Sequence, residues 1–320
     1  MNCLFIYNPF SGKGKMKKHA SAVKEILEKK FDSVEVRPSE KIGDLTAFSR
    51  EACGKYDVLV FSGGDGTFND VLQGLAGQEN KPVLGYIPTG TCNDIARTYG
   101  ISFKIKRAAK QIIGGIPKEI DCFKVNEKYA EYVVCAGAFT ATTYETNQQS
   151  KRKFGKIAYF YDGIRRNLKP PVFNVSVKSE SGEIKAETNF ITFINSRSVA
   201  GFPINRHVVL DDGLVDMLCV KLRHTPKHSG KVRAFFKVLK IFLFGNGKTL
   251  MRDSDIIKLR GSHFEISVED GVCWNYDGER GECGPITLDI LQRHVSLLIP
   301  AKRLRKMEKK KSFLKQREMS

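Results

Sequence analysis

Four short apolar runs, at residues 3–7, 33–37, 57–61 and 82–87, punctuate the first 120 residues of the chain. Between them apolar positions recur at three- and four-residue spacing, as Met16, Ala20, Val23, Ile26 and Leu27 do. That spacing predicts helices over 15–30, 44–54, 67–76 and 91–98. The runs are read as buried parallel strands. Such strands alternating with helices predict a doubly wound α/β domain over residues 1–121. In a sheet of this kind ligands bind at the carboxyl ends of the strands.

After residue 121 the period changes. Residues 120–125 and 129–136 alternate apolar and polar and are joined by Asn126-Glu127-Lys128, a hairpin signal. Similar runs follow at 171–179, 183–195, 214–221, 254–259, 263–268, 272–276, 286–291 and 294–299. They predict a mainly antiparallel β-sandwich or curled sheet over 122–295. Helical patterns interrupt it at 155–168 and 226–244. In the second, Val232, Phe235, Phe236, Leu239, Phe242 and Leu243 form an apolar stripe beside Lys231, Arg233, Lys237 and Lys240. A basic amphipathic helix can lie in a membrane interface. Apolar stripes more often face a core, so a helix packed on its own sheet is the reading taken. The last strands are expected to return the chain to the first domain near 295–310, with a basic tail at 301–320.

Composition adds one strong constraint. Lys and Arg number 53 against 35 Asp and Glu, a net charge of +18 over 320 residues. A balance this basic implies an anionic partner: nucleic acid, anionic membrane or phosphorylated substrate. Residues 301–320 hold nine Lys/Arg and two Glu, a net of +7. Lys151, Arg152, Lys153, Lys156, Arg165, Arg166 and Lys169 make a second cluster, interleaved with aromatic residues. No zinc-finger, RRM or helix-turn-helix pattern supports nucleic acid, so no nucleic-acid partner is expected. The tail reads instead as a weak, reversible dock on an anionic membrane surface. No run of eighteen apolar residues predicts a membrane span, and the N-terminus reads as a first strand, not a signal peptide. Eight cysteines fall without CxxC pairs; seven lie in apolar contexts or beside glycines, as small buried residues do, and a reducing compartment is expected. The expected location is cytoplasmic, with peripheral membrane association.

Three loops carry candidate chemistry. Asn8-Pro9-Phe10-Ser11-Gly12-Lys13-Gly14 follows the first strand, and its small residues let backbone N–H groups approach an anion at a helix N-terminus. Gly63-Gly64-Asp65-Gly66-Thr67 follows the third. Pro88-Thr89-Gly90-Thr91-Cys92-Asn93-Asp94 follows the fourth, with Asn93 or Asp94 placed to cap the next helix. One glycine-rich turn is often plain structure; three at the strand ends of one sheet point to a phosphate site. The middle loop has an acid where a Walker loop has a lysine. That suits a phosphate arriving with its own cation.

In order, Asn8-Pro9-x-Ser11-Gly12, Gly63-Gly64-Asp65-Gly66-Thr67 and Pro88-x-Gly90-Thr91-x-Asn93-Asp94 resemble the diacylglycerol kinase catalytic-domain family, and within it the soluble bacterial lipid kinases. The resemblance continues through Ile120-Asp121, Asp211–Asp216 and Asp277-Gly278-Glu279, to about residue 300. It implies an NAD kinase-like N-terminal domain, a C-terminal β-sandwich that takes the lipid, and the cofactors ATP and Mg²⁺. The implied reaction moves the γ-phosphoryl of ATP to a lipid hydroxyl, with diacylglycerol the leading acceptor and phosphatidic acid its product. Asn8, Pro9, Phe10, Ser11 and Gly12, with Gly63, Gly64, Asp65, Gly66, Thr67, Phe68 and Asn69, would bind nucleotide and phosphate. Ser39 stands where similar enzymes have a nucleotide-contacting Thr, and Thr91 would complete the phosphate contacts. Asp65, Asp94 and Asp121 match acids that hold catalytic Mg²⁺, and Glu279 matches the general base. Asp212, with backbone carbonyls of Val209 and Leu214, matches a structural Mg²⁺ site. Family members commonly form homodimers. Phe68 and Asp70 stand where the family often has Leu and Glu, swaps that keep apolar and acidic character.

Elementary chemistry agrees with this assignment of roles. Phosphoryl transfer asks for positioning and charge neutralisation, Mg²⁺ for one or two carboxylates, and a lipid hydroxyl for a carboxylate that takes its proton. Two other readings stay open: a related kinase acting on NAD or a sugar phosphate, and a nucleotide-binding, membrane-docking protein without turnover.

Overall fold

The computed structural model describes residues 1–10, 14–138, 171–205, 208–223, 230–244 and 253–318. The expected helix over 155–168 and the basic cluster at 151–169 lie outside the described residues. The chain divides into two compact units, Met1–Asp121 with Arg293–Ser320, and Cys122–Gln292.

In the first unit β1 (Asn2–Tyr7), β2 (Ser33–Pro38), β3 (Val58–Gly63) and β4 (Val83–Pro88) run parallel in the order β2-β1-β3-β4. All of β3 and all but the first residue of β1 are buried, as runs covered on both faces must be. Leu59 stands opposite Leu4 on one side and Leu84 on the other. The carboxyl ends of these strands therefore lie side by side. Helices α1 (Lys15–Leu27), α2 (Asp44–Ala52) and α3 (Asp65–Leu75) connect them, and α4 (Asp94–Tyr99) follows β4. A fifth, α5 (Ile105–Ile113), is not predicted by the pattern: its buried face is only Ala108, Ala109 and Ile112, too sparse to stand out among lysines. It packs on α1, and α2 packs on α3.

β5 (Gly115–Val125) carries the chain into the second unit and β15 (Ile286–Pro300) carries it back. Leu297 of β15 pairs parallel with Leu84, so the returning strand extends the first unit's sheet beyond β4. The polar break at Gln292-Arg293-His294, which separates two predicted strands, is a local bend with Arg293 at φ +52.

The second unit is antiparallel and β-rich. Its elements are β6 (Lys128–Ala130), β7 (Val133–Gly137), β8 (Phe173–Ser179), β9 (Gly182–Ile194), β10 (Val215–Lys221), α6 (Gly230–Phe244), β11 (Ile256–Gly261), β12 (His263–Val268), β13 (Cys273–Tyr276) and β14 (Glu279–Cys283). The hydrogen-bonded order is β14-β13-β7-β9-β8-β12-β15, with β10 also on β9 and β11 on β10. β9 changes partner along its length: residues 182–188 pair with β8 and residues 190–194 with β7. At the changeover Gly137 closes on Asn189. A Cβ there would lie 2.3 Å from the Asn189 carbonyl oxygen, and φ is +98, so the position demands glycine. The strands enclose one apolar cluster, in which Phe193 meets Phe264 edge-on at 5.1 Å. Trp274, fully buried, donates its indole N–H to the Gly284 carbonyl at 2.9 Å.

α6 packs on β9 and β10, the arrangement favoured by its stripe. The buried face is Ala234, Phe235, Val238 and Ile241, with Phe236 left exposed. Lys237 is buried too, held by Asp253 at 2.7 Å and by Asp255. The basic segment after Pro300 is helical, α7 (Ala301–Glu318), and Arg303 Nε anchors its start by donating to the Thr98 carbonyl at 3.1 Å. Among the described residues no helix is long and apolar enough to cross a membrane.

The cysteines depart from expectation in two ways: Cys53, Cys92 and Cys135 are only half-buried, and one pair is bonded. Cys273 and Cys283 stand opposite each other on β13 and β14 and are disulfide-bonded. They meet because β14, a short exposed edge strand with no clear apolar alternation, folds back on β13. Cys3, Cys122 and Cys219 are free and buried, as expected.

Candidate active site

The first and third loops of the sequence reading, and the glycine loop between them, sit at the carboxyl ends of β1, β4 and β3. After β1, Asn8 Oδ1 accepts from Phe10 N at 2.8 Å, a turn that leaves Phe10 75% exposed. Ser11 and Gly12 lie outside the described residues. Ser39, buried at the end of β2, donates its N–H to the Tyr7 carbonyl at 2.8 Å, which sets it beside the Asn8 turn.

The other two loops are stitched together. Thr89 N donates to the Gly63 carbonyl at 2.8 Å, and the Tyr86 hydroxyl donates to the same carbonyl at 3.2 Å. Asn93, at φ +51, turns its side chain back on Gly90: Oδ1 accepts from Gly90 N at 3.0 Å and Nδ2 donates to Gly90 O at 2.8 Å. Its role is thus to shape the loop, not to cap α4. Gly64 and Gly90 touch backbone to backbone; a Cβ on Gly90 would lie 2.5 Å from Gly64 Cα. The two loops can therefore lie in backbone contact only because neither position carries a side chain. Gly90→Ala is expected to cost about 1–3 kcal/mol through overpacking, read as a lower urea midpoint, with a raised KM for ATP.

Within Gly63–Asn69 the side chains divide. Asp65, Gly66 and Thr67 form the first turn of α3, where the helix dipole favours the Asp65 carboxylate. Asp65 Oδ1 reaches Ile95 N of α4 at 3.5 Å. Phe68 is fully buried, edge-on to Phe61 and Tyr86 at 5.3 and 5.5 Å, so its side chain belongs to the core beneath the loop. Asn69 Oδ1 accepts from Gln73 along α3 at 3.1 Å. Thr91 is exposed on the loop after β4.

Asp94, fully buried, opens α4. Burial pushes the Tyr86 hydroxyl well above its usual pKa, and the carboxylates of Asp65 and Asp94 push it further. Both acids are therefore felt at one hydroxyl, and Asp65 Oδ1 lies 3.5 Å from N of Ile95, the residue after Asp94. This donor set of hard oxygens on neighbouring strand ends fits Mg²⁺, which takes one or two carboxylates and keeps its other positions for water and phosphate. Asp121 is held differently: it is fully buried at the end of the first unit's share of β5, and its Oδ1 accepts from Arg293 N at 2.7 Å.

In the second unit Glu279 is exposed at the start of β14, opposite Tyr276. The two-residue turn before it, Asp277-Gly278, has φ +53 and +96, the form that suits a tight hairpin. Asp277, 4% exposed, fixes this turn. Its Oδ2 accepts from Glu131 N at 2.6 Å and its Oδ1 from Tyr132 N and Val133 N, each at 3.0 Å. Those bonds also explain why the single strand predicted over 129–136 is two, β6 and β7: the amides between them serve a carboxylate. The anchoring role of Asp277 and the loop-shaping role of Asn93 are missed by motif matching, which marks where such residues fall without saying what they bond.

The predicted structural-metal residues form a different arrangement. Asp212 Oδ1 accepts from Leu214 N at 3.2 Å, and Oδ2 takes Arg260 Nη2 at 2.6 Å. Val209 precedes them in the same segment. As placed, this carboxylate pairs with the Arg260 guanidinium. Among the described residues no group of three or more His, Cys, Asp or Glu could hold a metal ion.

Residues 2–125 match the model of the diacylglycerol kinase catalytic domain. Over 308 residues the chain is 30% identical to a diacylglycerol kinase of Bacillus subtilis, covering 95% of this chain and 98% of that protein. It is 29% identical to a diacylglycerol kinase of Staphylococcus aureus over 92% of this chain and 91% of the relative. A crystal structure of a diacylglycerol kinase from Bacillus anthracis superposes with a TM-score of 0.77 at 26% identity, covering 94% of this chain and 98% of that one.

Proposed function

Because this chain belongs to the diacylglycerol kinase family and is an ATP-dependent lipid kinase, we propose that it phosphorylates diacylglycerol to phosphatidic acid. The observation that carries the site is the pair of glycine loops joined at Gly64 and Gly90, with Asp65 and Asp94 beside them. Backbone amides of Gly63, Gly64 and Gly66, with those of the Asn8–Gly12 loop and Thr91, cradle the nucleotide phosphates. Ser39 and Asn69 border the nucleotide. Asp65, Asp94 and Asp121 would hold Mg²⁺, partly through water, and the ion would neutralise phosphate charge. Glu279 accepts the proton of the lipid hydroxyl as it attacks phosphorus. Residues 1–121 are the nucleotide domain and 122–295 the lipid domain in this reading.

The test is to incubate the protein with labelled ATP, Mg²⁺ and mixed micelles of single lipids. Labelled phosphatidic acid is the expected product. Phosphorylation of another lipid only would refute the acceptor, labelled NADP from NAD would favour a related kinase, and nucleotide binding without transfer to any acceptor would refute catalysis.

The basic helix α7 is proposed as the peripheral membrane dock. Each Lys or Arg near an anionic surface contributes about 1 kcal/mol. Removing 307–320 spares the Arg303 anchor, and it is expected to weaken binding to phosphatidylglycerol vesicles by tenfold or more, roughly, at low salt. Unchanged sedimentation with the vesicles would place the dock elsewhere. A homodimer is proposed on the family resemblance alone, and sedimentation velocity decides it.

A further inference from the structure

Cys273 and Cys283 close the hairpin that presents Glu279. We propose that this pair is a reversible thiol–disulfide site, with Cys273 as the thiol that reacts with small disulfides such as oxidised glutathione.

Pairing across a hairpin separates these two cysteines from the others, of which Cys53, Cys92 and Cys135 are also half-buried. Cys3 and Cys219 are buried, and burial pushes their thiols up to about 12 and about 11, which keeps them protonated and inert. Cys273 is half-buried and Cys283 exposed, on a hairpin whose outer strand, β14, is among the described residues an edge bonded only to β13. Register holds the two sulfurs opposite each other, so the second thiol is always within reach of the first. Arg280 supplies the remaining requirement. Its Nη2 lies 3.6 Å from Cys273 Sγ, and a guanidinium so placed stabilises the thiolate, the form that attacks.

The chemistry balances without a further reagent. The Cys273 thiolate attacks one sulfur of glutathione disulfide, breaking its S–S bond and releasing one glutathione thiolate. The Cys283 thiolate then attacks Cys273 Sγ in the mixed disulfide, forming the protein disulfide and releasing the second glutathione. Two electrons pass from the protein thiols to the small disulfide, and the two thiol protons end on the two glutathiones. The ring that closes contains Glu279, so the bond ties down the edge strand bearing the proposed base. That consequence rests on the role given to Glu279.

To test this, fully reduced protein is treated with oxidised glutathione at neutral pH, quenched with an alkylating reagent and digested. The expected result is a bond between residues 273 and 283 before any of the other six cysteines is modified. Emission from Trp274, the single tryptophan, should change in step and revert with dithiothreitol. Arg280→Gln leaves less thiolate, but a more basic thiolate is the better nucleophile, so a slowing of about threefold is expected. Arg280→Lys should restore most of the rate. Glutathione reacting first at another cysteine, no bond between 273 and 283, or a wild-type rate in Arg280→Gln would overturn the proposal. In the kinase assay the disulfide form is expected to show a kcat about threefold above the dithiol form, since small misplacement of a base costs rate steeply. Cys273→Ser should match the dithiol form under either condition. Equal kcat in both forms with Glu279→Gln inactive overturns the link to catalysis; equal kcat with Glu279→Gln active overturns the role of Glu279 instead.

Discussion

Replacing Glu279 with glutamine is expected to lower kcat for lipid phosphorylation by about a hundred- to ten-thousandfold, with the KM for ATP nearly unchanged. Glutamine keeps the size and polarity of the side chain and removes only its capacity to accept a proton. The residue is exposed at the start of an edge strand, so little packing is lost, and surface substitutions of this kind stay within about 0.5 kcal/mol of the parent. The hairpin itself is fixed by Asp277 and by the bond from Gly278 N to Asn275 Oδ1 at 2.9 Å, neither of which the substitution touches. A fall in kcat with an unchanged unfolding midpoint therefore reports chemistry and not structure. Activity within tenfold of wild type would remove Glu279 from the mechanism. Aspartate at the same position offers a second reading of the same point: it retains the proton acceptor but withdraws it by one methylene, so it should recover part of the lost rate, provided the acceptor's reach and not its mere presence limits transfer.

The two halves of the chain were not equally legible. Buried parallel strands announce themselves as unbroken apolar runs, and β1, β3 and β4 lie within a residue or so of where the pattern puts them. The strands that escaped or changed are those whose partners are not apolar. β14 carries Glu279, Arg280 and Glu282 and has no buried face to betray it. The split between β6 and β7 depends on Asp277, almost 150 residues away in sequence, taking three amides out of the ladder. The disulfide depends in turn on β14. In the candidate site, motif spacing marked the glycine loops and the acids as candidates, because their chemistry is local. It did not reveal that Gly64 meets Gly90, that Phe68 faces the core, or that Arg260 holds Asp212. Each of those is a tertiary contact, which spacing along the chain does not encode.

Asp65→Asn tests the acid that first distinguished the glycine loop. About a thousandfold loss of kcat is expected, since a bound metal supplies several kcal/mol of charge stabilisation in the transition state. Stability should move little, because two terms oppose each other. The carboxylate gains about 0.3–1 kcal/mol from the N-terminal dipole of α3, which asparagine forfeits. It is also felt, with that of the buried Asp94, at the Tyr86 hydroxyl, and like charges without a cation repel, so neutralising one of them relieves that cost. Metal-free wild type and variant should therefore unfold at similar urea concentrations. Adding Mg²⁺ with a non-hydrolysable ATP analogue separates them: a ligand that binds the folded form raises its stability with concentration. The rise should be clear for wild type and much reduced for Asp65→Asn, while the analogue without metal should protect both alike, since the backbone amides of the two loops remain. An equal Mg²⁺-dependent shift in both proteins would mean that Asp65 does not hold the ion, and the acid in the glycine loop would then need a different explanation.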